Sequence, residues 1–311
     1  MVEQIKINKN AQGQFLRTIS DSVTNDQWIR EFFKNASEAI EEYKMKYPND
    51  KNFKPEIIFD KNKFLEELGL NKICVIDNGI GMSPIQMVGY LNDLGHSSES
   101  KSKGYKNFGI GAKISAVTRN PVGIQYESWT KGEKGFSVFL QYDEDSDSYG
   151  LKEFDNFGSR ILYKEIEEDV TPDLIKKSGH GTRVTFFGES EEQDTTRKSA
   201  HKIFYGSEAA WIFRILNSRF FKFSKDIEVK AIHQYDRNDE KLSRSYLESV
   251  KPLSKTLEEI SIQNGLVSLS DFDMKWWILD KDRSMNNREI KTGHFALNFE
   301  NEIFNFSNNS Y

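Results

Sequence analysis

Apolar and polar positions change period several times along this chain, and each change marks an element. From residue 25 to 47 the run NDQWIREFFKNASEAIEEYKMKY sets Trp28, Phe32, Ala36, Ala39, Ile40 and Tyr43 on one side at helical spacing. That spacing predicts a long amphipathic helix, ended by the loop YPNDKNFKP. Two strand-like runs follow, EIIF at 56–59 and KICVID at 72–77, separated by DKNKFLEELGL, which reads as a helical turn or an irregular crossing. Ser83-Pro84-Ile85-Gln86 predicts a helix start: Ser83 caps, Pro84 suits the first helical position, and Gln86 stands where a capping box wants it. GHSSESKSKGYKN, polar and without period, predicts a loop, and FGIGAKISAVTR predicts a glycine turn leading into a helix.

Further on, VGIQYESW, GFSVFLQY and SRILYK predict successive strands, and GTRVTFFG at 181–188 another that is opened by glycine. RKSAHKIFYGSEAAWIFRILNSRFF reads as helix interrupted near Gly206, IEVKAI returns to strand, and the charged run QYDRNDEKLSR sets a soft boundary near 235–250. Beyond it LSKTLEEI predicts a short helix, while GLVSLSDFDMKWWIL and TGHFALNFENEIFNF predict strands of a smaller unit. The 311 residues exceed the usual single-domain size, so one large core with an appended domain is expected.

Composition changes the picture in three ways. The 23 Phe and 12 Tyr supply bulk for a core in a chain that is 29% charged, which excludes a disordered class. A formal charge of -5 gives no general field for nucleic acid or an anionic bilayer, and no apolar run is long enough to cross a membrane. The single Cys, Cys74, falls in a predicted strand and permits no internal disulfide; with no leader-like start, the expected location is cytoplasmic.

Four stretches carry candidate chemistry. On the first helix Glu31, Asn35 and Glu38 are spaced by four and three and share a face, so a carboxylate and a carboxamide can act together, Asn35 offering an oxygen to a metal ion and Glu31 orienting a water. Asp77-Asn78-Gly79-Ile80-Gly81 ends a strand on an acceptor-only group, able to receive an exocyclic amine; a tight turn without a ligand uses the same letters. Gly109-Ile110-Gly111-Ala112-Lys113 puts glycines just ahead of a helix with a lysine point charge, a phosphate-binding arrangement that is neither a P-loop nor a Rossmann fingerprint. Gly179-His180-Gly181-Thr182 opens a strand with a hydroxyl that can reach the Asp or a water.

In this order and spacing the four pieces resemble the GHKL ATPases, the superfamily of DNA gyrase B, heat-shock chaperones of the ninety-kilodalton class, histidine kinases, MutL-type repair proteins and MORC proteins. The motif E-x-x-x-N-A-x-[DE]-A is similar to residues 31–39, D-x-G-x-G to 77–81, and the later glycine motif to 108–111. The resemblance implies a Bergerat fold: an α+β two-layer sandwich, its mixed, mostly antiparallel sheet covered by helices on one face, with a smaller α/β unit after it. It implies an ATP-binding domain over 1–240 with a lid at about 95–107, and a transducer-like unit over 241–311. ATP and Mg2+ are the implied cofactors.

Carried over by position, the resemblance implies Glu31 as general base and Lys113 as its catalytic companion at the phosphates, with Asn35 as Mg2+ ligand. It implies that Asp77, Gly79, Gly81, Met82 and Thr182 line the base, and that Ser97, Ser98, Lys106, Asn107, Phe108, Gly109, Ile110, Gly111, Ala112 and Lys113 bind through the lid and phosphate loop. Two departures stand out. Lys106 replaces the first glycine of the usual third motif, and Glu38 replaces the usual Asp, with a buried polar role expected for it.

A histidine kinase is disfavoured, since none of the five His precedes His96 and no phosphoacceptor helix comes first. The main expectation is an ATPase that closes or forms a homodimer on binding ATP, clamping DNA in repair or defence, with Lys198, Arg214, Arg219, Lys222 and Lys225 as the basic face this needs. The alternative is a chaperone-like or regulatory ATP switch on protein partners, or a noncatalytic nucleotide-gated binding protein. A protein effector or a fused downstream domain is a further expected partner. Lys275, Lys281 and Lys291 are candidates for a transducer lysine at the gamma-phosphate.

Overall fold

The computed structural model describes residues 18, 20, 27–63, 70–92, 110–156, 158–197, 211–224, 226–235, 244–270, 273–280, 294–299 and 302–308. Two compact units divide the chain, Met1–Thr196 and Arg197–Tyr311.

In the first unit the long helix α1 (Gln27–Lys46) lies over an antiparallel sheet. The sheet contains β1 (Glu56–Lys63), β2 (Asn71–Asp77), β3 (Ile124–Trp129), β4 (Phe136–Asp143) and β5 (Ser148–Leu151). Outside it β6 (Phe154–Asn156) and β7 (Ser159–Ile161) pair with each other. The short β8 (Lys164–Glu165) pairs with β4, and β9 (Gly181–Phe186) completes the sheet. Within this unit its order is β1-β2-β9-β3-β4-β5. Three further helices are α2 (Pro84–Asn92), α3 (Ile110–Ala116) and α4 (Asp173–Ser178). The result is α+β, a mostly antiparallel sheet packed against helices, as the sequence predicts.

The strand alternation decides what meets α1. From α1, Ile29, Phe32, Ala36, Ile40 and Tyr43 are buried. Phe32 meets Phe186 edge-on at 4.8 Å between centroids and Tyr126 at 6.2 Å. Each such side chain contributes roughly 1.5–3 kcal/mol by leaving water. On the reverse face Ile58, Cys74, Ile76 and Trp129 pack with Ile175 of α4. The predicted cap of α2 forms in both directions: Ser83 N donates to Gln86 Oε1 (2.8 Å) and Gln86 N to Ser83 Oγ (3.3 Å).

One lysine is wholly inside. Lys72 Nζ donates to the carbonyls of Phe187 (2.8 Å), Ser190 (3.2 Å), Glu191 (2.9 Å) and Gln193 (2.6 Å), and the side chain is fully buried. Burial pulls its pKa below the usual lysine value, opposed by the charges of Asp194, Glu191 and Glu192. Thr195 extends the tie, since its Oγ1 accepts from Ile73 N at 2.8 Å and its N donates to Asn71 O at 3.2 Å.

In the second unit α5 (Trp211–Arg219) precedes the antiparallel pair β10 (Glu228–Tyr235) and β11 (Arg244–Ser249). Next come α6 (Leu253–Ile260) and two hairpins, β12 (Ser261–Ser268) with β13 (Asp273–Leu279) and β14 (His294–Phe299) with β15 (Glu302–Asn308). Asn217 of α5 ties to α6 and its approach, donating Nδ2 to Lys251 O (2.8 Å) and Thr256 Oγ1 (2.7 Å).

Candidate functional site

Register across the sheet assembles the centre of the site. Asp77, the last residue of β2, faces Thr182 of β9, and Thr182 faces Ser128 of β3. These three side chains share one row and, by alternation, the face that α1 covers. Asp77 is 6% exposed, and its Oδ1 accepts from Gly79 N at 2.8 Å. Burial pushes its carboxyl up to about 7, with the Gly79 N-H pulling the other way. A buried carboxyl with free acceptor capacity is a ready partner for an amino group.

The two glycines of the turn have separate causes. A Cβ on Gly79 would lie 2.6 Å from the backbone carbon of Ala39, because α1 presses on the turn there and Ile80 N donates to Ala39 O at 3.0 Å. Gly81 has φ +70°, a left-handed value, and a Cβ would stand 2.1 Å from Trp129 O. Asn78 fastens the same turn to the approach of β1, donating Nδ2 to Lys54 O (2.7 Å) and accepting from Glu56 N (2.8 Å).

Along α1, Glu31 is buried, and its Oε1 accepts from Gln27 Nε2 at 2.8 Å and from Arg30 Nη1. Asn35 Nδ2 donates to Tyr90 OH at 3.2 Å, which ties the helix to α2. Burial raises the Tyr90 pKa to about 12, helped by the Glu38 and Glu31 charges and opposed by the Asn35 bond. Both charges therefore act on the phenol that Asn35 touches directly. Glu38 corrects an expectation: the residue is exposed, not buried.

Three residues here were given no role by the sequence. Tyr90 sits on a helix face that local patterning marks only as mixed. His180 is buried, with Nδ1 2.7 Å from Gly79 O and its ring stacked on Tyr43 at 3.9 Å. Burial lowers the His180 pKa, so the neutral ring donates to the turn. Tyr43 is itself held, donating to Asp50 Oδ2 (2.7 Å) and accepting from Lys131 Nζ (2.7 Å). Ser128, nearly inaccessible, accepts from Met82 N at 2.8 Å and touches Thr182 Oγ1 at 3.0 Å. Only the strand register could have found it.

Ile110, Gly111, Ala112 and Lys113 form the first turn of α3, so Gly111 lies within the helix and not ahead of it. Ala112 is buried. Ser97, Ser98, Lys106, Asn107, Phe108 and Gly109 lie outside the described residues, as does the predicted lid at 95–107. In the second unit Lys275 stands over the ring of Phe221 at 5.9 Å, while Lys281 and Lys291 lie outside the described residues. Among the described residues no group of three or more His, Cys, Asp or Glu side chains could hold a metal, and no helix is long and apolar enough to cross a membrane.

No family model matches the chain. Over 182 residues it is 27% identical to the chaperone protein HtpG of Buchnera aphidicola subsp. Schizaphis graminum (strain Sg), a stretch that covers 54% of this chain and 25% of that protein. The chain thus spans about a quarter of the length of the curated relative it matches. This is a distant match to a chaperone of the ninety-kilodalton heat-shock class, one branch of the GHKL superfamily.

Proposed function

We propose that this chain binds ATP with Mg2+, hydrolyses it, and works as a chaperone-like or regulatory switch on protein partners. The observation that carries the reading is the buried Asp77 carboxyl, which among the described residues has one backbone N-H and no cation beside it, set in one row with Thr182 and Ser128 beneath α1. Asp77 accepts from the 6-amino group of adenine, with Thr182 and the Met82 turn closing the base pocket. Asn35 would hold Mg2+ through its carboxamide oxygen, a hard oxygen donor of the kind this ion takes. Bound Mg2+ would neutralise charge on the phosphate oxygens. Glu31 takes a proton from, or orients, the attacking water once Arg30 and Gln27 release its Oε1. Lys113 and the backbone at the start of α3 are assigned to the phosphates.

Protein partners are favoured over a DNA clamp by the match to a chaperone and by the net charge of -5. Nucleotide-dependent homodimerisation belongs to the same proposal. The test is binding and turnover on one preparation each of wild type, Glu31→Ala and Asp77→Asn. Glu31→Ala should keep ATP affinity within about tenfold and lower hydrolysis by on the order of a hundredfold or more. Asp77→Asn should lose ATP affinity. Unchanged hydrolysis in Glu31→Ala removes the general base, and unchanged affinity in Asp77→Asn removes the site. Stimulation of turnover by an unfolded protein, and not by DNA, supports the switch; the reverse supports the clamp.

A further inference from the structure

Ser128 is the most heavily committed hydroxyl around the candidate base pocket. It accepts from Met82 N (2.8 Å), lies 3.0 Å from Thr182 Oγ1, and donates to Gly181 O (3.1 Å). A hydroxyl has one proton and two lone pairs. The Gly181 carbonyl can only accept, so it takes the Ser128 proton, and the Met82 N-H takes one lone pair. One way remains to make the third contact: Thr182 donates its own proton to Ser128. The Thr182 oxygen is then left with lone pairs alone, beside an Asp77 carboxyl that, once ionised, is also an acceptor.

We propose that Ser128 is a positioning residue that fixes the hydrogen-bond polarity of this pocket, committing it to a purine that presents an exocyclic amino group to Asp77 and Thr182. The inference rests on the ATP-binding reading above and deepens it. Ser128 acts through two neighbours at once, holding the Met82 backbone against β3 and fixing the direction in which the Thr182 proton points. Its burial keeps water from substituting for either contact.

The experiment is calorimetric binding of ATP and of purine riboside 5′-triphosphate, which lacks only the 6-amino group, to full-length wild type and Ser128→Ala, with melting temperatures measured alongside. Wild type should prefer ATP by about tenfold or more. In Ser128→Ala that preference should shrink to about threefold or less, because Thr182 is free to turn its proton toward the ligand. Where the alanine variant does not fold, Ser128→Cys, close in shape and weak in hydrogen bonding, replaces it with the same expectation. Ser128→Thr, which keeps the hydroxyl, should retain the preference. A substituted protein that folds, binds ATP and discriminates like wild type overturns the role of Ser128 and leaves the ATP site standing. A wild type that binds neither triphosphate overturns both.

Discussion

Two carboxylates of nearly equal burial lie on opposite faces of the same three strands. Asp77 is 6% exposed and Glu127 3%. Glu127 faces Arg183 across β3 and β9, and the guanidinium grips it with two bonds, Nε to Oε2 at 2.5 Å and Nη2 to Oε1 at 2.8 Å. Burial works against the Arg183 charge, yet the paired Glu127 more than offsets it and holds its pKa above the usual value. Among the described residues Asp77 has one backbone N-H and no cation. One residue of alternation thus separates a carboxylate gripped by a guanidinium from one that the described residues supply with a single backbone donor.

The sharpest way to break the contrast is Arg183→Leu, which strands Glu127 in the interior and should cost about 3–5 kcal/mol in urea unfolding. Replacing both partners, Arg183→Leu with Glu127→Leu, should recover most of that loss, since two apolar groups leave nothing unpaired.

Asp77→Asn should behave oppositely. The folded carboxyl titrates at about 7 against an ordinary value near 3.8, so the folded state holds its proton longer. Stability therefore falls as pH rises from about 4 to about 7, by on the order of 2–4 kcal/mol. An amide at this position does not titrate and escapes the effect: unfolding measured from pH 4 to 8 should show a flatter profile, with Asp77→Asn more stable than wild type at pH 8. His180 contributes with the other sign. Its folded pKa is depressed, so stability present above the ordinary value near 6.5 is lost as pH falls below it. His180→Asn should remove that acid-side decline while keeping a donor for Gly79 O. The smallest effect is expected from Ser83→Ala, about 1 kcal/mol in the same assay from loss of the α2 cap.

What the sequence made legible was local. The period of α1, the apolar run of β2 and the Ser83–Gln86 box are each written in a few adjacent residues, and each formed as expected. The strand predicted at 56–59 runs on through Lys63, into the stretch read as a helical turn or irregular crossing, because Lys61, Asn62 and Lys63 find partners along β2. SRILYK, read as one strand, splits into β7 and β8, which pair with different neighbours. The site divides the same way. Glu31, Asn35 and Asp77 belong to motifs, whereas Ser128, His180 and Tyr90 matter only through partners 46 to 101 residues distant in the chain.

Lys72 has a practical corollary. With its amine wrapped by four carbonyls, it will not meet acylating or alkylating reagents that mark exposed amines, so its labelling should lag far behind that of Lys134, whose side chain is 72% exposed. Modification at position 72 then becomes a clock for opening of the first unit, read peptide by peptide in a mass spectrometer.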